Sequence, residues 1–283
     1  MAIILKGLDV AKAMKEKMMT DIELLKEKGI SPHLGIVRLG ERSDDLAYER
    51  SAVKKCEGIG IRNTVFKYPI DISQQELIRE INKLNNDQSI HGLLIFRPLP
   101  KHIDENIIKH VIDPKKDVDC FSPVNVAKVF EGDSSGFAPC TAEAVMEILD
   151  FYEIPVEGKN IVVVGRSMVV GKPVSMLLVK KHGTVTICHT KTKNIETICR
   201  GAEILIAAAG KAEMITQDFI GEGAVVIDVG INMNAENSLC GDVNFTEVFE
   251  KAGYITPVPG GVGTVTTSIL VRHVVEAALK SLN

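Results

Sequence analysis

Four runs of apolar residues in the second half of the chain constrain its fold more than any other feature. The runs are Asn160–Val164, Thr184–Cys188, Glu203–Ala208 and Ala224–Val229. Helical patterns at 172–182 and 194–199 separate the first three. Apolar strands that alternate with helices are typical of a parallel sheet covered on both faces. We therefore predict an α/β fold, with a parallel-sheet domain of the Rossmann type at residues 140–266.

The first half of the chain has an α/β pattern of its own. Apolar residues at helical spacing from Val10 to Leu25 predict an amphipathic helix at 9–28, which Gly29 ends. Further patterns predict strands at 33–39, 65–68 and 92–96 and helices at 44–57 and 74–85. We predict that residues 1–139 form a separate α/β domain, which a C-terminal helix at 267–283 completes.

Composition and charge exclude several functional classes. Of the 283 residues, 45% are hydrophobic and 25% are charged, and the net charge is −4 without a basic half. Nucleic acid and anionic membranes are therefore poor partners. The first residues lack the pattern of a signal peptide, and we find no run of about 18 apolar residues. These observations predict a cytoplasmic protein that does not span a membrane.

Cysteine and histidine are scattered along the chain. The six cysteines form no C-x-x-C pair, and the seven histidines form no H-E-x-x-H pattern. In a chain without a secretion signal, such cysteines are expected to be reduced thiols. We predict no metal site.

A strand, a glycine-containing turn and a helix follow one another between Val162 and Pro173. A glycine at the end of such a strand lets backbone N–H groups approach a pyrophosphate at the helix N-terminus. Gly165 and Gly171 could serve in this way, although Ser167 stands where the usual fingerprint has its second glycine. A turn without a ligand is the alternative interpretation.

The residues after the second strand of this domain bear on the choice of cofactor. Enzymes that use NAD tend to have an Asp or Glu about 20 residues past the glycines, where it repels a 2′-phosphate. Here the chain reads Cys188-His189-Thr190-Lys191-Thr192, without a carboxylate. Thr190, Lys191 and Arg166 could instead contact phosphate. An ordinary polar loop is the alternative, but the combination favours NADP over NAD.

Longer signatures line up in order along almost the whole chain. They are Y-x-x-x-x-x-K from Tyr48, G-L-L-I-F-R-P-L-P from Gly92, K-D-V-D-C-F from Lys116, P-C-T from Pro139, G-R-S-x-x-V-G-x-P from Gly165, C-H-T-K-T from Cys188, D-V-G-I-N from Asp228, G-D-V from Gly241 and T-P-V-P-G-G-V-G-x-x-T from Thr256. In these motifs the chain closely resembles the methylenetetrahydrofolate dehydrogenase/cyclohydrolase family.

The resemblance implies a homodimer that acts on tetrahydrofolate derivatives. It implies that the cofactor site is lined by Gly165, Arg166, Ser167, Thr190 and Ile231. It implies that the folate site is lined by Tyr48, Asp119, Pro257, Gly260, Gly261 and Val262, with Tyr48 and Asp119 as its catalytic residues. Tyr48 has a ring that could stack on a flat pterin or benzoyl group, and Asp119 could accept from the amino-pyrimidine edge. From the residues alone, Tyr48 could equally be a half-buried helix tyrosine, and an ordinary loop aspartate is the favoured interpretation of Asp119.

Two positions depart from the family pattern. The lysine of Y-x-x-x-K is replaced by Ala52, and the glutamine of Q-x-P-L-P is replaced by Phe96. Lysine and glutamine suit the activation of water for hydrolysis, whereas hydride transfer needs positioning but no proton abstraction. We therefore predict a 5,10-methylenetetrahydrofolate dehydrogenase that has lost most or all cyclohydrolase activity.

Two alternatives to this prediction stay open. The first is a bifunctional enzyme in which Lys55 or another group substitutes for the missing lysine. The second is a non-catalytic relative that binds folate or NADP. The intact loops around both predicted sites argue against the second alternative.

Overall fold

The computed structural model describes residues 1–282. The helices are α1 (Gly7–Glu27), α2 (Ser43–Glu57), α3 (Gln74–Asn86), α4 (Glu105–Ile108), α5 (Pro123–Glu131), α6 (Cys140–Phe151), α7 (Gly171–Lys180), α8 (Ile195–Arg200), α9 (Phe245–Phe249) and α10 (Val262–Lys280). The strands are β1 (Ile3–Ile4), β2 (His33–Leu39), β3 (Arg62–Tyr68), β4 (Gly92–Ile95), β5 (Asn160–Val164), β6 (Thr184–Cys188), β7 (Ile204–Ala207), β8 (Val225–Asp228), β9 (Asn232–Met233), β10 (Leu239–Cys240) and β11 (Tyr254–Ile255). A short 3-10 helix spans Gln217–Phe219.

The chain divides into two compact units. The six-stranded unit contains residues 1–12 and 141–266, and the three-stranded unit contains residues 13–140 and 267 onward. The first twelve residues therefore differ from the prediction, which placed them in the domain at 1–139. The physical reason is β1, which pairs in parallel with β11 through Ile3 and Tyr254.

The six-stranded unit is built on a parallel sheet with the strand order β1-β11-β8-β7-β5-β6. Strands β5, β7 and β8 are almost wholly buried, which accounts for their continuous apolar sequences. From β5 the chain passes to β6 on one side and then returns to β7 on the other. In open α/β sheets, ligands bind at such a reversal, beyond the carboxyl ends of the strands.

The three-stranded unit is also built on a parallel sheet whose strand order reverses. Its sheet has the order β3-β2-β4, and both pairings are parallel. All seven residues of the central strand β2 are buried. The chain passes from β2 to β3 on one side and then to β4 on the other, so the order reverses between β2 and β4.

Several elements differ from the sequence-based expectation. Helices α5 and α6 lie between residues 97 and 159, where we predict no helix or strand from the sequence, and α6 begins at Cys140, the predicted start of the second domain. The last helix begins at Val262 rather than at residue 267. By length and composition alone, this helix could cross a membrane. However, 67% of its apolar 18-residue stretch is buried within the protein. Burial of this kind is typical of a core helix.

Candidate active site

The reversal of strand order in the three-stranded unit brings Tyr48 and Phe96 together. Tyr48 lies on α2, which follows β2, and Phe96 directly follows β4. The backbone N–H of Phe96 donates to the carbonyl of Val37 at 3.1 Å, which continues the ladder beyond β4. The two rings lie 5.7 Å apart between centroids and are tilted by 42°. An aromatic surface therefore forms where the fold favours a ligand site.

The phenol of Tyr48 stays protonated over the whole physiological range. Burial raises the pKa of Tyr48 well above its ordinary value, and Asp119 and Cys140 add to the effect. A neutral phenol can donate a hydrogen bond, but it is not available as a base.

The Asp119 carboxylate is held between a backbone amide and a guanidinium group. One oxygen accepts from the backbone N–H of Cys140 at 3.0 Å. The other lies 3.9 Å from Nη2 of Arg97, and each of these two side chains is 23% exposed. The Arg97 guanidinium also lies 4.7 Å from the centre of the Phe121 ring. Asp119 is thus fixed in place and remains partly accessible.

The predicted cofactor turn has the geometry that its glycines suggest. Gly165 follows β5 with φ of 137°, and a Cβ at this position would collide with the carbonyl of Ala208. The hydroxyl of Ser167 accepts from the backbone N–H of Val170 at 3.1 Å. Helix α7 begins at Gly171, where a Cβ would meet the carbonyl of Gly165. The turn therefore requires glycine at both positions, and it lies where the strand order reverses.

The loop after β6 is closed by its own side chains. The backbone N–H of His189 donates to Oγ1 of Thr192 at 2.9 Å. Thr190, Lys191 and Arg166 are exposed. The loop places hydroxyl and basic groups, but no carboxylate, beside the glycine turn.

The remaining predicted residues differ in exposure. Ile231 is 69% exposed, whereas Val262 is only 2% exposed and begins α10. Gly260 has φ of 104°, and a Cβ at Gly261 would collide with the carbonyl of Pro257. Val262 can therefore offer a ligand little more than its backbone. Among residues 1–282, no group of three or more His, Cys, Asp or Glu could hold a metal ion.

Comparison with known proteins decides the family. Residues 5–119 match the catalytic domain of tetrahydrofolate dehydrogenase/cyclohydrolase, and residues 139–282 match its NAD(P)-binding domain. The chain belongs to this family. The comparison confirms the predicted family, its two-domain α/β fold and its nicotinamide cofactor domain.

Individual relatives are similar over nearly their whole length. "Bifunctional protein FolD" of Clostridium kluyveri is 56% identical over 277 residues, which cover 98% of each chain. The crystal structure of the bifunctional enzyme FolD from Campylobacter jejuni has a TM-score of 0.97 at 40% identity, and covers 99% of this chain and 100% of that one. FolD of Trypanosoma brucei, solved with NADP and an inhibitor, has a TM-score of 0.94 at 36% identity, and covers 100% of this chain and 99% of that one. The homodimer and the cytoplasmic location stay predictions.

The surroundings of Tyr48 lack the two polar side chains that the family resemblance leads us to expect. Ala52 lies one helical turn beyond Tyr48 and is 0% exposed, and Phe96 is 7% exposed. Neither side chain can exchange a proton or orient water. The space available at these positions is apolar and closely packed.

Lys55 has different neighbours from Tyr48. Burial lowers the pKa of Lys55, and the positive charge of Lys15 on α1 lowers it further. Lys15 in turn donates to the carbonyl of Gly58 at 2.9 Å. The titratable groups that act on Tyr48 are instead Asp119 and Cys140. These separate surroundings argue against Lys55 as the substitute for the missing lysine.

Two groups of contacts lie outside the sequence-based prediction. One is the approach of Arg97 to Asp119, and the other is a pair of buried carboxylates, Asp228 and Asp242. The partners in both groups are more than ten residues apart in sequence, so no local pattern indicates them. The motifs D-V-G-I-N and G-D-V carry the only available signal for the second group.

Proposed function

We propose that this chain is an NADP-dependent 5,10-methylenetetrahydrofolate dehydrogenase with little or no cyclohydrolase activity. The observation that carries the proposal is the replacement of both hydrolytic side chains by buried apolar groups, Ala52 and Phe96. Oxidation of the methylene bridge yields a cation shared by two folate nitrogens, and it requires no protein base. Hydrolysis of that cation requires water to be activated by a base.

The folate would lie beside Tyr48 and Asp119. The Tyr48 ring offers a face for stacking, and its protonated hydroxyl can donate to the substrate. The partly accessible carboxylate of Asp119 suits the paired N–H donors of a pterin. We assign the segment from Pro257 to Val262 to folate binding because of the family resemblance alone.

NADP fits the residues of the six-stranded unit. When bound, NADP supplies the hydride acceptor. The N-terminus of α7 and the turn from Gly165 to Ser167 would hold the pyrophosphate. Arg166, Thr190 and Lys191 would contact the 2′-phosphate, and Ile231 would line the same cofactor site. The bound NADP of the Trypanosoma brucei relative supports this choice.

A bifunctional dehydrogenase/cyclohydrolase is the second candidate. The Clostridium kluyveri and Campylobacter jejuni relatives are both named bifunctional, which favours this candidate over a loss of hydrolysis. The two substituted residues of this chain favour the loss. The two candidates differ only in the fate of the methenyl product.

One assay tests both candidates and the enzyme itself. Purified protein is mixed with 5,10-methylenetetrahydrofolate and NADP, and the absorbances of NADPH and of methenyltetrahydrofolate are followed together. The proposal predicts equal accumulation of the two products. Rapid loss of the methenyl signal would establish the bifunctional candidate, and no NADPH formation would reject both candidates.

A further inference from the structure

Two carboxylates are buried at the carboxyl edge of the six-stranded sheet. Asp228 ends β8 and is 3% exposed, and Asp242 follows β10 and is 0% exposed. Buried carboxylates are costly unless hydrogen bonds satisfy them. Their contacts therefore show what each one holds in place.

Asp242 accepts four hydrogen bonds from two different loops. One oxygen accepts from the backbone N–H groups of Ala209 and Gly210 at 2.6 and 3.0 Å. The other accepts from the backbone N–H of Lys211 and from Nδ2 of Asn232, both at 2.9 Å. Asp242 thus ties the loop that follows β7 to the segment that follows β8.

Asp228 holds Asp242 in turn. One oxygen of Asp228 accepts from the backbone N–H groups of Gly230 and Asp242 at 2.9 and 3.0 Å. The other accepts from the backbone N–H of Val243 at 2.9 Å. The backbone N–H groups of Asp242 and of Val243 are therefore both held by the carboxylate at the end of β8.

The glycines of the two motifs make room for these carboxylates. A Cβ at Gly230 would collide with the carboxylate of Asp242, and a Cβ at Gly241 would collide with that of Asp228. D-V-G-I-N and G-D-V are thus two halves of one contact, in which each aspartate lies against the glycine of the other motif.

The tethered loops lie where a dinucleotide is expected. The loop after β7 begins at Ala208, whose carbonyl lies against Gly165 of the glycine turn. The segment after β8 presents Ile231, which is 69% exposed and lies between Gly230 and Asn232. Both of these neighbours are bonded to the carboxylate pair.

We infer that Asp242 is a positioning residue for the nicotinamide cofactor. It orders the loop at 209–211 and the segment at 230–232 before the cofactor binds, so that binding does not have to order them. The inference rests on the proposed binding of NADP. Asp242 acts through these two loops and does not itself contact the cofactor.

The test compares Asp242→Asn with a matched packing variant. An amide oxygen cannot accept all four bonds, and its NH2 group would face N–H donors. Val248→Ala removes methyl groups from the 0% exposed side chain of Val248 on α9, in the hydrophobic core of the same unit, and it removes no hydrogen bond of Asp242 or Asp228. NADPH affinity is measured by fluorescence, backbone exchange at 209–211 by hydrogen–deuterium exchange, and stability by thermal unfolding.

We expect Asp242→Asn to weaken NADPH binding roughly tenfold or more, the size expected for lost bonds to a charged group. Exchange at 209–211 should be faster in the variant without cofactor, and the KM for folate should change little. Val248→Ala should lower stability and leave NADPH affinity unchanged. Equal NADPH affinity in wild type and Asp242→Asn would overturn the inference, as would an equal loss in both variants.

A milder variant keeps the test decisive if Asp242→Asn does not fold. Asn232→Ala removes one of the four bonds from a half-buried position, and it should weaken NADPH binding by a smaller factor. Unchanged affinity in Asn232→Ala would then overturn the inference. Failure of the wild type to bind NADPH would instead reject the proposed function.

Discussion

The ring of Phe96 lies 5.7 Å from the ring of Tyr48, and the two rings meet at 42°. Phe96 stands where the family resemblance leads us to expect a glutamine. Tyr48 thus has an apolar neighbour at a position where we expect a polar one. The contact also couples the two positions, because a change at either ring alters the packing of the other.

Removal of the Tyr48 ring should weaken folate binding. Tyr48→Ala should lose about 1–3 kcal/mol of binding free energy, the amount expected for a large apolar contact. Tyr48→Phe keeps the ring and should retain much of the affinity. Equilibrium titration of each variant with a folate substrate measures the difference.

Tyr68 provides the control for this prediction. It is a half-buried tyrosine of β3 in the same unit, and its hydroxyl donates to Glu80 at 3.3 Å. Tyr68→Ala should lower the thermal stability and leave folate affinity unchanged. Equal affinity in wild type and Tyr48→Ala would reject the predicted role of Tyr48.

The sequence predicts the central strands well because their signal is local. Strands β5 and β6 have the predicted bounds, and β7 and β8 are each one residue shorter at both ends. Strands β1 and β11 have only two residues each, and the first exists because it pairs with residues about 250 positions away. No apolar run can indicate such a strand.

Helix starts near proline and glycine were harder to predict than strands. The segment Ser122-Pro123 contains a good start signal, since the Ser122 hydroxyl accepts from the backbone N–H of Val124 and Pro123 occupies the first turn. The surrounding aspartates and prolines hide that signal in a loop-like composition.

Asp119 could be proposed from its motif, but its contact with Arg97 depends on tertiary structure.

NADP should be preferred over NAD. The loop after β6 carries Thr190 and Lys191 without an acidic residue. Thr190→Asp would place a carboxylate where it repels the 2′-phosphate and can accept from ribose hydroxyls. We expect kcat/KM with NADP to fall about tenfold or more, and kcat/KM with NAD to fall less or to rise. Steady-state kinetics with both cofactors measure the ratio.

Two exposed lysines supply a matched control for the charge. Lys191→Ala should lower kcat/KM for NADP by about fivefold relative to NAD, as expected for loss of an exposed phosphate contact. Lys193→Ala removes an equal charge two residues further along and should leave the ratio unchanged. A wild-type enzyme with a higher kcat/KM for NAD would contradict the prediction.

Asp45 should make the stability of the protein depend on pH. Its side chain lies on the buried face of α2, the residue is 8% exposed, and no hydrogen bond to its carboxylate is found within residues 1–282. Burial raises the pKa of Asp45 above its ordinary value of 3.8, although Arg42 and Arg38 oppose the effect. A raised folded-state pKa means that the contribution of Asp45 is complete below pH 3.8 and is lost as the pH rises through the raised value.

Asp45→Asn should therefore stabilise the protein more at pH 8 than at pH 4. We expect the difference in Tm between variant and wild type to grow by about 1–3 °C over this range. Asp44→Asn alters an 86% exposed carboxylate in the same helical turn, and its effect should grow with pH less than that of Asp45→Asn, because burial raises the pKa of Asp45 more than the charge of Asp44 does. A pH-independent effect of Asp45→Asn would show that the folded state does not disfavour the charged carboxylate.

Methenyltetrahydrofolate should accumulate at nearly one molecule for each NADPH formed. Ala52 and Phe96 supply no proton-exchanging group beside Tyr48, and Lys55 lies near Lys15 instead. The methenyl product should therefore disappear no faster than it does in buffer. General acid–base catalysis typically contributes about 10²–10⁴-fold, so an intact hydrolytic site would be plain in the absorbance trace.

Restoring the two side chains together should raise hydrolysis more than either single change. Ala52→Lys alone places a long charged side chain where the alanine is 0% exposed, and Phe96 still packs against Tyr48. Phe96→Gln alone supplies an amide, but no base. The double variant provides both, so its rate should exceed the product of the two single effects. Thermal unfolding of all four proteins separates a failed site from a failed fold. Fast methenyl hydrolysis by the unmodified protein would instead mean that a group other than the usual lysine activates water.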